Sequence, residues 1–213
     1  MNASSDTPAS ACVIVCAAGQ SRRHPGKLLR PVNGQPALLH TMDALAGHNL
    51  PLVVVIPAES AELASMLADW ITAYPEERVT IATNPDAAMG LAHTIRLGLA
   101  TAPDTEWLGL CNGDRCFLAS PTLDAILETL STRRPGILLP VDAATPGIPG
   151  HPVFFNREFR AELDGLEGDE GARALFQRHP DAVWRLELED RGLWLDMDRW
   201  LDSGGERSGS AHE

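Results

Sequence analysis

Residues 12–27 read CVIVCAAGQSRRHPGK. An unbroken apolar run leads into a small-residue turn carrying Arg22, Arg23 and Lys27, with Arg30 close behind, and the stretch 16–31 contains no carboxylate. A strand that is hydrophobic on both faces belongs inside a parallel sheet with helices on each side. In such sheets ligands bind beyond the carboxyl ends of the strands, which is where this cationic turn falls. Gly19 lets the backbone approach a ligand closely, free N–H groups can donate to phosphate oxygens, and arginine and lysine supply charge. The spacing is neither GxGxxG nor GxxxxGK followed by Ser or Thr, which disfavours the dinucleotide fingerprint and the P-loop. From these residues alone, an anion seat and a solvated basic loop both remain open.

The theme repeats downstream. LVVVIP (52–57), VTIAT (79–83), WLGLCN (107–112) and GILLPV (136–141) read as further buried strands, alternating with helical segments. In ESAELASMLADWITAY, Leu63, Met66, Leu67, Trp70 and Ile71 fall at i, i+3, i+4, i+7 and i+8, one apolar stripe, so Met66 and Trp70 are core residues. PALLHTMDALAG, GLAHTIRLGLAT and SPTLDAILETLSTR supply further helices, the last with Ser120 as N-cap and Pro121 as first helical residue. The fold expected is α/β: a three-layer, Rossmann-like, mostly parallel sheet with helices on both faces. After Val141 the rhythm changes. A Pro/Gly loop, a short strand HPVFFN, two helical stretches and an alternating strand VWRLELED read as an elaboration beside the sheet. One domain is expected over 11–202, with 1–10 and 203–213 as disordered tails.

Composition narrows the function. Seventeen Lys+Arg against 29 Asp+Glu give a formal net charge of −12, which argues against a nucleic-acid or anionic-membrane surface, so the cationic turn is a local exception. No apolar run reaches the roughly 18–20 residues that span a bilayer, and no positive n-region opens the chain. A cytoplasmic protein is expected. Cys12, Cys16, Cys111 and Cys116 lack CxxC spacing and sit in or beside apolar strands, which reads as buried thiols rather than a metal site or disulfides.

Six segments together resemble one family. AAGQSRRHPGKLLRPVNGQPALLH is similar to the A-A-G-x-S-x-R-M-G-x-x-K-L-L-P signature of the MobA-like nucleotidyltransferases, most closely the molybdenum cofactor cytidylyltransferases. NPDAAMGLAHTIRLGLA, NGD at 112–114, GHPVFF at 150–155, GDEGARALFQRHP and LDMDRWLD resemble that family's later motifs, in the same order. The resemblance implies transfer of CMP from CTP to the phosphate of a molybdopterin-type cofactor, with release of pyrophosphate and with Mg²⁺. It also implies a molybdoenzyme client or its chaperone as the receiver of the product.

Carried over position by position, the resemblance implies that Arg23, Lys27 and Asp114 are catalytic. Ala17, Ala18, Gly19, Gln20, Ser21 and Arg22 would enclose the triphosphate, with Ala18 pointing to CTP because the guanylyltransferase relatives have glycine there. Asn84, Gly90 and Thr94 would surround base and ribose. Asp114 with Asp196 or Asp198 would hold the metal; as alternate residues of a strand those two aspartates would share a face. His151, Asp169 and Arg173 would bind the acceptor. Two carboxylates plus phosphate oxygens suffice for Mg²⁺, and positioning plus charge neutralisation suffice for nucleotidyl transfer.

Three places depart from the pattern. The loop reads RRHPGK, which shortens the span to Lys27; Arg115 follows Asp114; and Arg199 and Trp200 stand where Thr and Pro are usual. Other readings stay open here: transfer to another phosphorylated acceptor such as a sugar phosphate or phospholactate, or a non-catalytic accessory protein that binds and delivers a cofactor. Plainer roles exist for single residues. Asp114 can be a turn residue before a helix, His151 a turn residue before Pro152, and Asp169 can complement a helix dipole.

Overall fold

The computed structural model describes residues 10–19, 23–75 and 78–205. The first strand, β1 (Ala11–Cys16), is central, as its sequence requires, and every residue but the last is buried. After the short hairpin of β2 (Pro31–Val32) and β3 (Gln35–Pro36) comes α1 (Ala37–Leu45). Then follow β4 (Leu52–Pro57), α2 (Ala61–Ala73), β5 (Val79–Asn84), α3 (Leu91–Thr101) and β6 (Trp107–Asn112). The remaining elements are α4 (Ser120–Arg133), β7 (Ile137–Asp142), β8 (Val153–Asn156), α5 (Arg160–Asp164), α6 (Arg173–Arg178), β9 (Val183–Leu188) and α7 (Met197–Asp202).

Seven strands form one sheet in the order β5-β4-β1-β6-β8-β7-β9. β1 pairs in parallel with β4 on one side and β6 on the other, and β7 is parallel to β9. β8 alone is reversed, antiparallel to both β6 and β7. The expected three-layer, mostly parallel sheet is therefore present, with the strand read as an elaboration inserted into its middle.

Alternation along β1 builds the two faces. Val13 and Val15 point into one cluster with Leu38 and Met42 of α1, Leu67 and Trp70 of α2 and Leu123 and Ile126 of α4. Cys12 and Ile14 point into the other, with Ile95 and Leu99 of α3, Leu163 of α5 and Leu175 of α6. The α3 helix comes so close to β1 that a methyl group at Gly98 would lie 2.3 Å from Ile14 Cγ2. The outer strands β5 and β9 are only partly buried: for β9 this matches the alternating pattern of VWRLELED, whereas VTIAT, read as buried on both faces, lies at the sheet edge with one neighbour, β4.

The start of α4 differs from its sequence reading. Ala119 is the N-cap and Ser120 is already helical, without a side-chain cap. A distant carboxylate replaces it: Asp190 Oδ2 accepts from Ala119 N at 3.1 Å and from Thr122 Oγ1 at 2.5 Å. Of the expected tails at 1–10 and 203–213, residues 1–9 and 206–213 lie outside the described residues, whereas Ser10 O accepts from Trp107 N–H and Ser203 and Gly204 N–H donate to Arg199 O and Leu201 O at the end of α7. Among those residues no helix is long and apolar enough to cross a membrane.

Strand order reverses at β1: the chain steps outward through β4 and β5, then returns to lay β6 on the other side. A crevice at the carboxyl ends of β1 and β6 follows from that reversal.

Candidate active site

Three separate pieces of chain meet in this crevice. The basic loop after β1 is fixed to α1 by Leu38 N–H donating to Leu28 O at 3.0 Å and Ala37 N–H to Arg30 O at 3.0 Å. The turn after β6 is tied to β1 and α1, with Gly113 N–H donating to Cys16 O and Thr41 Oγ1 to Gly113 O, both at 3.0 Å. The start of α7 joins them through Met197 N–H and Asp114 O at 3.2 Å.

These anchors bring Lys27, Asp114 and Asp198 together. Lys27 Nζ lies 2.5 Å from Asp114 Oδ2 and 3.0 Å from Asp198 Oδ2. Arg23 Nη2 lies 2.9 Å from Asp198 Oδ2, and its other terminal nitrogen is 3.6 Å from Asp202. His24 Nε2 is 3.0 Å from Asp202 Oδ1. The shortened loop thus still delivers Lys27 to Asp114. Burial, the largest single influence, pulls the lysine pKa down, but the charge and hydrogen bonds of Asp114 and Asp198 together raise it above its ordinary value. The ammonium is held charged.

The two candidate aspartates of the last motif do not share a face. Asp196 is the N-cap of α7, its Oδ1 accepting from Arg199 N–H at 2.9 Å, and its Oδ2 lies 3.8 Å from Arg115 Nη2. Asp198, in the first helical turn, is the one that reaches the Lys27 cluster. The strand-like reading of LDMD failed because a capping aspartate turns the chain into a helix there. Asp114 Oδ1 and Asp198 Oδ1 are both buried without a hydrogen-bond partner. Two carboxylates, each with an unused buried oxygen, suit a hard divalent cation that takes its remaining ligands from phosphate and water. Among the described residues no group of three or more His, Cys, Asp or Glu could hold a metal.

The crevice itself holds a cleft of about 360 Å³ between Arg23, Lys27 and Asp198 on one rim and Ala87, Ala88 and Gly90 on the other. Ala17 and Gly19 line it, whereas Ala18 is buried beneath, 1% exposed. Gln20, Ser21 and Arg22 lie outside the described residues. Asn84 and Thr94, read as base and ribose contacts, are instead buried under the wall, where Asn84 Nδ2 donates to Thr94 Oγ1 at 3.2 Å and Asn84 Oδ1 accepts from Asp86 N–H at 2.9 Å. Their polar atoms serve the turn that presents residues 87–91. Gly90 is on the wall, at φ +88°, and a Cβ there would sit 2.3 Å from Gly168 O.

A second pocket of about 410 Å³ adjoins the first, sharing Cys16, Leu91 and Asn112. Its wall is largely apolar, with Ile95, Ile148 and Phe176, and two arginines, Arg173 and Arg199, reach it. His151 lines it too, its Nδ1 3.2 Å from Leu110 O. Burial, then the nearby Arg115 guanidinium, push the His151 pKa down to about 3, so the ring is neutral, with Nδ1–H donated and Nε2 free to accept. Arg115 is itself buried, with Nε and Nη1 unpartnered and its charge turned toward Asp196 rather than toward Lys27. Of the three residues assigned to an acceptor, His151 and Arg173 line this pocket and Asp169 lines the first cleft. Phe176 and Arg199 were missed; the i, i+3 spacing of Arg173 and Phe176 was the available signal.

The four cysteines are free, and burial pushes the thiols up, to about 11 for Cys12 and about 12 for the other three. They remain protonated, in keeping with a packing role.

Comparison with known proteins accords with this geometry. A family model described as MobA-like NTP transferase domain matches residues 13–183. A 2-C-methyl-D-erythritol 4-phosphate cytidylyltransferase from Streptomyces avermitilis is 30% identical over 184 residues, 78% of this chain and 71% of that protein. Among solved structures, Rv0371c from Mycobacterium tuberculosis H37Rv superposes with a TM-score of 0.72 at 25% identity, covering 94% of this chain and 99% of the other. The manganese complex of the same protein superposes with a TM-score of 0.69, again at 25% identity and with the same coverage.

Proposed function

The chain belongs to the MobA-like NTP transferase family and is a nucleotidyltransferase, and on that premise we propose that it transfers CMP from CTP to the terminal phosphate of a molybdopterin-type cofactor. The observation that carries this reading is the Lys27 ammonium held between Asp114 and Asp198 with Arg23 beside them, at the mouth of a cleft that opens into a second, largely apolar pocket. In the reaction an acceptor phosphate oxygen forms a bond to the α-phosphorus while the bond to pyrophosphate breaks. Arg23 grips phosphate oxygens with its planar fork, and Lys27 neutralises the leaving group as a compact point charge. Asp114 and Asp198 would hold Mg²⁺, which supplies further neutralisation of the phosphates when bound. Alignment of acceptor and nucleotide across the shared wall at Cys16 and Asn112 contributes by fixing the approach.

CTP is favoured by Ala18 at the family's discriminating position and by the cytidylyltransferase named above. The pterin acceptor is favoured by the resemblance of GHPVFF and GDEGARALFQRHP. It is also favoured by the second pocket, where Phe176 and Ile148 offer a surface for a flat heterocycle and Arg173 and Arg199 offer charge to its phosphate. A second reading, a phosphorylated polyol as acceptor, rests on the Streptomyces relative. Pyrophosphate release measured with CTP or GTP against each acceptor tests both. Release with CTP and the pterin cofactor supports the first, and release only with 2-C-methyl-D-erythritol 4-phosphate moves the assignment to the second. No release with any pair, despite nucleotide binding, points to an accessory binding protein.

A further inference from the structure

Asp169 stands apart from the other acidic groups of the cleft. It is exposed and lines the nucleotide cleft, and among the described residues it has neither a hydrogen-bond nor an ion-pair partner. Its position is set by a tight backbone contact. Ala92 N–H, in the first turn of α3, donates to Gly168 O at 3.0 Å, and Gly90 packs so closely that an added Cβ would lie 2.8 Å from Asp169 Oδ1. The wall at residue 90 is therefore cut back where the Asp169 carboxylate enters.

Charge decides what such a group can face. A carboxylate is an acceptor-only anion, so it repels the triphosphate that Arg23 and Lys27 attract. It is not part of the metal pair either, since no third acidic residue joins Asp114 and Asp198 among the described residues. What remains of a bound nucleotide is its nucleoside, which carries neutral donors: ribose hydroxyls and, in cytidine, an exocyclic amino group. A hydrogen bond from such a donor to a charged acceptor contributes more than one between neutral groups.

We infer that Asp169 is a nucleoside-binding residue, accepting a hydrogen bond from a ribose hydroxyl or from the cytosine amino group, and not a residue of the acceptor pocket. The inference rests on the nucleotide reading of the cleft proposed above. Arg173, four residues on in the same segment, lines the second pocket, so one strap of chain serves both sites with opposite charges.

The test is equilibrium titration, with Mg²⁺ and without acceptor, of wild type, Asp169→Ala, Asp169→Asn and the neighbouring control Glu170→Ala. The ligands are CTP, 2′-deoxyCTP, 3′-deoxyCTP and UTP. Wild type and Glu170→Ala should prefer CTP roughly ten-fold over whichever analogue lacks the donor, and Asp169→Ala should weaken CTP by about the same factor and bring the two ligands level. Loss of selectivity against a deoxy analogue assigns the ribose; loss against UTP assigns the amino group. Asp169→Asn, judged by the same ratios, stands in if the alanine variant does not melt cooperatively. The inference is overturned if Asp169→Ala binds CTP like wild type or if CTP weakens with every selectivity ratio intact. Wild type that binds none of the four nucleotides would instead remove the nucleotide reading itself, a distinct result.

Discussion

On one side of Cys16 and Asn112 the wall carries Arg23, Lys27, Asp114 and Asp198; on the other it carries Ile148, Phe176 and a neutral His151, with arginines only at Arg173 and Arg199. The first cleft is assembled from ion pairs between remote pieces of chain, the second mostly from residues 147–199 packed on the sheet. A charged cleft tolerates little change in charge, because each partner removed leaves another buried and unpaired. An apolar pocket answers to shape and responds more gently. The two sites should therefore separate cleanly under mutation.

The sharpest break is expected at the charge cluster. Lys27→Ala and Asp114→Asn should each lower turnover roughly 10²- to 10³-fold at saturating CTP, the scale for losing one charge-stabilising group. Pyrophosphate-release kinetics within ten-fold of wild type for both variants would erase the contrast. Gly90→Ala probes the wall between strap and cleft. Its φ of +88° and the approach of Gly168 O predict a stability loss of about 1–3 kcal/mol, read by chemical denaturation, together with weaker CTP binding. Unchanged stability would mean the strap yields easily.

Arg173→Ala should raise the acceptor KM by about ten-fold while leaving CTP affinity alone, which steady-state kinetics and titration read separately. Equal loss of both would show that the two pockets are not independent. The last test is of pH dependence, near neutral pH the least visible of the four. His151 titrates near 3 in the folded protein against an ordinary 6.5, so unfolded chains take up its proton first. Its contribution to stability is whole above about pH 6.5 and is lost as pH falls toward about 3, with a slope of at most about 1.4 kcal/mol per pH unit. His151→Gln should flatten that part of the urea-midpoint profile between pH 7 and 5.

The same contrast governs how much the sequence revealed. Doubly buried strands are written as continuous apolar runs, so β1, β4, β6 and β7 were legible one by one, and with them the site of the crevice. The place of β8 was not, because HPVFFN reads as a buried strand whichever neighbours it has, and insertion between β6 and β7 is decided by what closes the sheet. Lys27 and Asp114 were legible as a contiguous motif after a strand. Asp198 was confounded with Asp196, since a strand and a capped helix start give the same short string LDMD until the cap is seen. The family resemblance places Asn84 and Thr94 at base and ribose, but in the fold the two are buried and bond to each other beneath the wall. Phe176 and Arg199 lie within quoted segments, GDEGARALFQRHP and LDMDRWLD, but that they line the second pocket depends on the fold of the elaboration.

Lys27 meets Asp114 across 87 residues of sequence and Asp198 across 171. A ribosome releases these positions in order, and a nascent chain that stops short of Met197 offers the lysine one counter-charge instead of two. The charge cluster therefore closes only when the six-residue α7 docks, which makes a short helix the last piece delivered to it.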